Sequence, residues 1–262
     1  MKHNSSFHSG SRRKNKQSKH HTKAQEDSLI RLNRYIANAG ICSRREADKL
    51  ILAGTIKVNG KIITELGYKV SLNDDVRYNG QRIKPEKKFY VLLNKPKDTI
   101  TTVDDVHAPK TVIQLIKNCC HERIYPVGRL DRNTTGVLLL TNDGELTRKL
   151  THPSSNIEKI YTATLNKNLK KSDFKTLVEG VELEDGISSF DAVSLIDPEE
   201  KNKVIIQLHS GRNRIIRRTF EALGYKVKNL DRIKFAGLSK TGVKRGHWRF
   251  LTNKEISFLK ML

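Results

Sequence analysis

Two uninterrupted apolar runs constrain this chain more than any other feature. Residues 89–94 read Phe-Tyr-Val-Leu-Leu-Asn and residues 137–140 read Val-Leu-Leu-Leu. Lys95-Pro96 closes the first run and Gly136 opens the second. Short runs of this kind, bounded by turn residues, belong to strands buried on both faces. They fall far below the roughly 20 apolar residues needed to cross a bilayer, so no membrane span is expected. Further β-like stretches lie at 159–165, 192–196, 203–208 and 225–235. Short helices are predicted at 145–150, after Ser172 (Phe174, Leu177, Val178) and at 213–223, and a polar loop at 97–110. Strands and helices mix without regular βαβ alternation. The predicted class is α+β with a mostly antiparallel mixed sheet.

Charge restricts the partners. Fifty Lys and Arg against 28 Asp and Glu give a net charge of +22. A chain this basic needs a polyanionic partner, and nucleic acid is the first candidate. Residues 1–25 hold seven Lys/Arg, four His and no acid, with almost nothing apolar beyond Phe7. Such a segment cannot offset its ordering entropy by burial, so residues 1–28 are read as a disordered basic tail. The tail has no apolar stretch that would make it a secretory signal. Residues 205–249 hold twelve Lys/Arg against Glu221 and Asp231, and read as a phosphate-facing surface. Three cysteines, two of them adjacent (Cys42, Cys119, Cys120), do not make a disulfide scaffold and fit a reducing cytoplasm.

A small module occupies residues 29–87. Leu32, Tyr35, Ile36 and Ala39 have the spacing of one helix face, and Gly40 stops that helix. Ser43 through Glu46 forms a capping box that starts a second helix with Ala47, Leu50 and Ile51 inward. Asn59-Gly60 and Asn79-Gly80 each predict a tight hairpin. Arg44 and Arg45 lie at a helix start, where arginines and backbone N–H groups can both meet phosphates.

The remainder, 88–262, has little conventional catalytic equipment. It contains no Gly-x-Gly-x-x-Gly, no Walker A, no His-Glu-x-x-His and no Cys-x-x-Cys, so nucleotide motors, dinucleotide enzymes and structural zinc are excluded. No metal or cofactor is expected. What stands out is an acid among bases: Asp131 between Arg129 and Arg132, in a loop leading into the second apolar run. A carboxylate near arginines stays ionised and can act as nucleophile or base. An Asp in a turn can equally be a cap or an ion-pair partner. The predicted 213–223 helix carries Ile215, Ile216, Thr219, Phe220 and Leu223 on one face and Arg214, Arg217, Arg218 and Glu221 on the other.

Longer strings carry a resemblance. Residues 31–36 (Arg-Leu-Asn-Arg-Tyr-Ile), 40–47 (Gly-Ile-Cys-Ser-Arg-Arg-Glu-Ala) and 54–60 (Gly-Thr-Ile-Lys-Val-Asn-Gly) resemble an RNA-binding domain of the ribosomal protein S4 type. The string from Pro126-Val127-Gly128-Arg129-Leu130-Asp131 through Asn142-Asp143-Gly144 resembles the active-site motif of pseudouridine synthases. Lys95-Pro96, His152-Pro153 with Lys159-Ile160-Tyr161, and Gly211 through Arg218 with Leu230 and Arg232 resemble that family's other motifs in order. The resemblance covers about 29–262 and is greatest to the ribosomal members with an S4-type domain in front.

It implies a small RNA-binding domain at 29–87 and a catalytic domain at 88–262. By position, Asp131 matches the essential aspartate, Tyr161 the tyrosine that stacks on the target base, and Arg217 the basic residue that pairs with the aspartate. Leu230 matches an apolar pocket residue. Arg44, Arg45, Arg129, Arg212, Arg214, Arg218 and Arg232 are the implied RNA contacts. The implied substrate is a flipped uridine in a structured stem-loop of ribosomal RNA, acted on without cofactor by a cytoplasmic monomer. The segments at 151–153 and 180–186 point to large-subunit rRNA, with small-subunit rRNA next. The alternative reading is a non-catalytic RNA-binding or ribosome-assembly factor. Residue 215 is Ile where a polar residue is common in the family.

Overall fold

A computed structural model describes residues 29–102 and 110–262. The basic tail predicted at 1–28 and part of the predicted 97–110 loop lie outside the described residues. The chain divides into two compact units, one ending at Glu86 and one spanning Lys87–Leu262.

In the first unit, helices Leu32–Asn38 and Arg44–Leu52 pack on short strands. These are β1 (Ile30–Arg31), β2 (Ile56–Val58), β3 (Lys61–Ile62), β4 (Lys69–Val70), β5 (Val76–Tyr78) and β6 (Gln81–Arg82). β1 and β4, which pair with each other, had no clear sequence signal. The capping box forms with both arms, Ser43 N–H to Glu46 at 2.8 Å and Glu46 N–H to the Ser43 hydroxyl at 3.3 Å. Asn59 and Asn79 adopt positive φ before Gly60 and Gly80, which turns both hairpins with the twist their strands require. Leu32, Tyr35, Ile36, Ala47, Ile51, Ile56, Val58, Val70 and Val76 make the core. Arg44 and Arg45 are exposed.

The second unit is built on a nine-stranded sheet. Its strands are β7 (Tyr90–Lys95), β8 (Tyr125–Pro126), β9 (Thr135–Thr141), β10 (Lys159–Leu165), β11 (Ala192–Leu195), β12 (Lys203–Leu208), β13 (Val227–Phe235), β14 (Leu238–Ser239) and β15 (Trp248–Phe250). The order is β11-β12-β10-β13-β9-β7-β15, with β8 on β9 and β14 on β13. Every pairing is antiparallel except β9 with β13. The apolar runs become β7 and β9, buried along their whole length. Val91, Leu93, Leu138 and Leu140 feed the core on one face of the sheet; Tyr90, Leu92, Val137 and Leu139 feed the core on the other. Two covered faces are why neither run alternates with polar residues.

Several boundaries differ from the sequence expectation. The predicted 213–223 helix spans Ile215–Ala222, because Arg214 sits in the left-handed region at φ +47° and cannot continue it. Arg214 therefore precedes the helix and does not share its polar face. The predicted 225–235 strand begins at Val227. A C-terminal helix, Asn253–Met261, starts at a Thr252–Glu255 capping box that the sequence reading passed over. No helix among the described residues is long and apolar enough to cross a membrane. None of the three cysteines forms a disulfide among the described residues; the Cys119 and Cys120 sulfurs lie 3.4 Å apart.

Candidate active site

The loop between β8 and β9 carries Asp131. Gly128, at φ +72°, turns the chain out of β8, and Thr134 N–H donates to the Asp131 carbonyl at 3.0 Å to close a turn before β9. Two groups hold this loop from below. Thr101 donates its hydroxyl hydrogen to the Leu130 carbonyl at 2.8 Å. Lys95, the last residue of β7, is fully buried, and its Nζ lies 3.0 Å from the Asp131 carbonyl, 3.0 Å from that of Arg132, 2.9 Å from that of Thr134 and 3.2 Å from that of Pro96. Burial pulls the Lys95 pKa down to about 8, while the carboxylates of Asp131 and Asp98 act in the opposite direction. The four carbonyls also favour its charged form. Lys95 is thus a buried cation whose partners are the backbone of the Asp131 turn.

The Asp131 side chain is half-buried on the wall of a cleft of about 530 Å³. Tyr161 of β10 lines the same cleft at 8 % exposure, as do Leu230 and Arg232 of β13 and Ile215, Ile216 and Arg217 from the first turn of the Ile215–Ala222 helix. β10 and β13 bring Tyr161 and Arg232 into direct register. The close approach of β9 to β13 depends on Gly136, at φ +105°, where a Cβ would collide with the Arg232 backbone. Arg129, Arg212 and Arg214 complete a basic lining.

Arg217 does not ion-pair with Asp131 among the described residues. Its Nη1 donates instead to the Val227 carbonyl at 2.6 Å. The two side chains interact through space: burial and then Arg214 lower the Arg217 pKa, while Asp131 and Glu221 raise it. The backbone of β13 thereby anchors the guanidinium in the same cleft as the carboxylate, within reach of its charge, without consuming the carboxylate's acceptors.

Arg218 points away from the cleft lining and is bound by Asp185, with one contact at 3.1 Å. Arg212 lines the cleft but also braces the 185–187 loop, donating to the carbonyls of Asp185 at 3.0 Å, Gly186 at 3.2 Å and Ile187 at 2.8 Å. Both arginines have an internal role that the sequence did not reveal. Sequence reasoning also gave no role to Lys95 or Lys159. The available signals for Lys95 were its place in a matched motif and a charge at the end of a buried, mostly apolar strand. Among the described residues no group of three or more His, Cys, Asp or Glu side chains converges to hold a metal ion.

The family model for RNA pseudouridylate synthase matches residues 89–222, which contain Asp131, Tyr161 and Arg217. The chain belongs to this family. An S4 domain model matches residues 30–76. The chain is 43% identical over 237 residues to the Ribosomal large subunit pseudouridine synthase B of Bacillus subtilis, covering 89% of this chain and 97% of that protein. It is 35% identical over 233 residues to the Dual-specificity RNA pseudouridine synthase RluF of Escherichia coli, covering 88% and 78% respectively. A solved pseudouridylate synthase superposes with a TM-score of 0.64 at 29% identity, over 88% of this chain and 99% of that one. This pseudouridine synthase therefore joins an S4 domain to a catalytic unit whose sheet is mostly antiparallel.

Proposed function

We propose that this enzyme isomerises a uridine of large-subunit ribosomal RNA to pseudouridine, with Asp131 as the catalytic carboxylate. The observation that carries this reading is the convergence of Asp131, Tyr161 and Arg217 on one cleft, with Asp131 on a turn gripped by buried Lys95. A carboxylate held beside a guanidinium yet free of direct pairing keeps its oxygens available as nucleophile or base. The reaction breaks the bond between the ribose and the base nitrogen, turns the uracil, and joins carbon 5 to the ribose; the hydrogen leaves carbon 5 and the nitrogen regains one. The uracil must leave the RNA stack, and the Tyr161 ring on the cleft wall is the surface for it to stack on, with Leu230 packing beside it.

The exposed Arg129 and Arg214 at the cleft are suited to backbone phosphates, as are Arg44 and Arg45 in the S4 unit. The names of the relatives support large-subunit rRNA as the substrate. We take the protein to act as a cytoplasmic monomer on a structured stem-loop. The test is mass-spectrometric mapping of pseudouridine in ribosomal RNA from cells with and without this protein, repeated with purified protein on transcripts. One large-subunit position should depend on it. A dependent position only in small-subunit rRNA would correct the substrate, and none in either would leave an RNA-binding protein without this activity.

A further inference from the structure

The cleft holds two cations, Lys159 and Arg232, with no carboxylate at ion-pair distance among the described residues. Lys159 and Tyr161 stand two residues apart on one face of β10, and Arg232 lies in register with Tyr161 on β13; all three line the cleft. Arg232 is 3 % exposed. Its Nε donates to the Val137 carbonyl at 2.8 Å, and its guanidinium carbon lies 4.5 Å from the centre of the Phe235 ring. These two contacts fix the guanidinium plane. Neither Nη nitrogen donates a hydrogen bond among the described residues, and Nη2 is enclosed without a partner. No carboxylate of the described residues lies at ion-pair distance from it.

Lys159 is half-buried, with Nζ donating to the carbonyls of Ile157 at 3.0 Å and His209 at 2.6 Å. Burial first, and then the charge of Arg232, lower its pKa to about 8. The carboxylate acting in the other direction, Asp191, is engaged by His209 at 2.6 Å. A buried cation lacking a counter-charge is unfavourable, and a second cation close enough to repel it adds to the cost. Arg218 with Asp185, Lys240 with Asp231 and Arg249 with Glu255 form ion pairs on this unit. Arg232 and Lys159, like Lys95 and Arg217, have carbonyl partners instead, but of these four only Arg232 and Lys159 repel each other, beside Tyr161 in the cleft.

We propose that Arg232 and Lys159 form an anion pocket that receives a backbone phosphate of the RNA, one directly flanking the nucleotide presented to Asp131. The proposal rests on the pseudouridine synthase reading and adds the part of the substrate these residues bind. A phosphate fits better than a uracil carbonyl because neither cation has a carboxylate at ion-pair distance among the described residues and the base is neutral. A guanidinium with free Nη groups also matches phosphate oxygens in its fork geometry. Base on Tyr161 and phosphate on Arg232 would fix the nucleotide at two points.

The test is phosphate-ethylation interference on a domain-sized transcript of large-subunit rRNA, with binding read in an Asp131→Asn background so that chemistry does not intervene. Arg232→Gln and Lys159→Gln are compared with the parent. One phosphate whose ethylation weakens parent binding tenfold or more should lose that effect in Arg232→Gln and be blunted in Lys159→Gln. That phosphate should adjoin the uridine mapped for the active enzyme. An unchanged interference pattern in both variants overturns the proposal. So does weakened affinity with no phosphate losing its effect, which would assign the donors to the base, and so does a lost phosphate more than two nucleotides from the mapped uridine. If Arg232→Gln fails to fold, Lys159→Gln alone must blunt that one phosphate or the proposal falls. Failure of the active enzyme to make pseudouridine would overturn the functional reading instead, while the interference pattern still judges the pocket.

Discussion

Replacing Lys95 by Met should cost far more catalysis than stability. The lysine is fully buried and touches the carbonyls of Asp131, Arg132, Thr134 and Pro96. Asp131 and Arg132 lie in a loop that water can reach, so their carbonyls can be rehydrated. Thr134 is buried, and its stranded carbonyl costs about 1–3 kcal/mol. Against this, the variant no longer buries an ammonium whose pKa has fallen from 10.5 to about 8. At about 1.4 kcal/mol per unit, keeping that charge in the native state at neutral pH opposes folding by about 3 kcal/mol. The two effects nearly cancel, leaving a net change within about 2 kcal/mol. The Asp131 turn, released from below, loses its position, and a displacement of about 1 Å at a catalytic group can cost about 100-fold in rate.

The pH dependence adds a signature. The native pKa of Lys95 lies below the unfolded value, so this residue contributes stability that rises between about pH 8 and 10.5, as the native state releases its proton first. Over the same window its grip on the turn weakens, because a neutral amine has fewer donors and no charge. Stability and activity of the parent should therefore diverge above pH 8. Lys159 adds to the stability rise with a pKa also near 8, so the Lys95 share is the part missing from the Met variant. Single-turnover rates and melting temperatures from pH 7 to 10 for both proteins supply the data. A Met variant with near-parental rate would refute the positioning argument. A variant whose lost activity merely follows its unfolded fraction would refute it too.

Asp131→Asn should abolish pseudouridine formation while RNA affinity stays within about threefold, since affinity is spread over many phosphate contacts; parallel turnover and binding assays on one rRNA fragment check this, and residual turnover near the parental rate would contradict it. Arg217→Ala should slow single turnover by orders of magnitude and Arg217→Lys by less, whereas Arg218→Ala should stay near parental at saturating enzyme, because Arg218 is held by Asp185 away from the cleft lining. Gly136→Ala should destabilise by about 3 kcal/mol or more, combining roughly 1–3 for overpacking with roughly 1–3 for a strained positive φ; a melting temperature within 2 °C of the parent, measured by calorimetry, would rule this out.

Local structure controlled by short-range chemistry was legible in the order of residues. The Ser43–Glu46 box, the two Asn-Gly hairpins and the buried runs of β7 and β9 were readable because each depends on residues a few positions apart. The order of motifs from Lys95 to Arg232 likewise disclosed the family, and Asp131, Tyr161 and Arg217, which those motifs single out, line one cleft. Weaker local signals were lost: strands of two residues, such as β1 and β4, have no periodicity to detect. Arg214 looked like part of a helix face because periodicity says nothing about a residue's φ. The partners of the charged side chains were decided only by tertiary structure. Twelve Lys and Arg between 205 and 249 look alike as a string, yet Arg218 ends on Asp185, Arg217 on the Val227 carbonyl and Arg232 on the Val137 carbonyl. Lys95 meets the Asp131 turn only because β7 and β9 align it opposite Gly136, 41 positions along the chain. Long side chains take their partners from whatever backbone the sheet registers bring within reach, and those registers are set by packing across the whole unit.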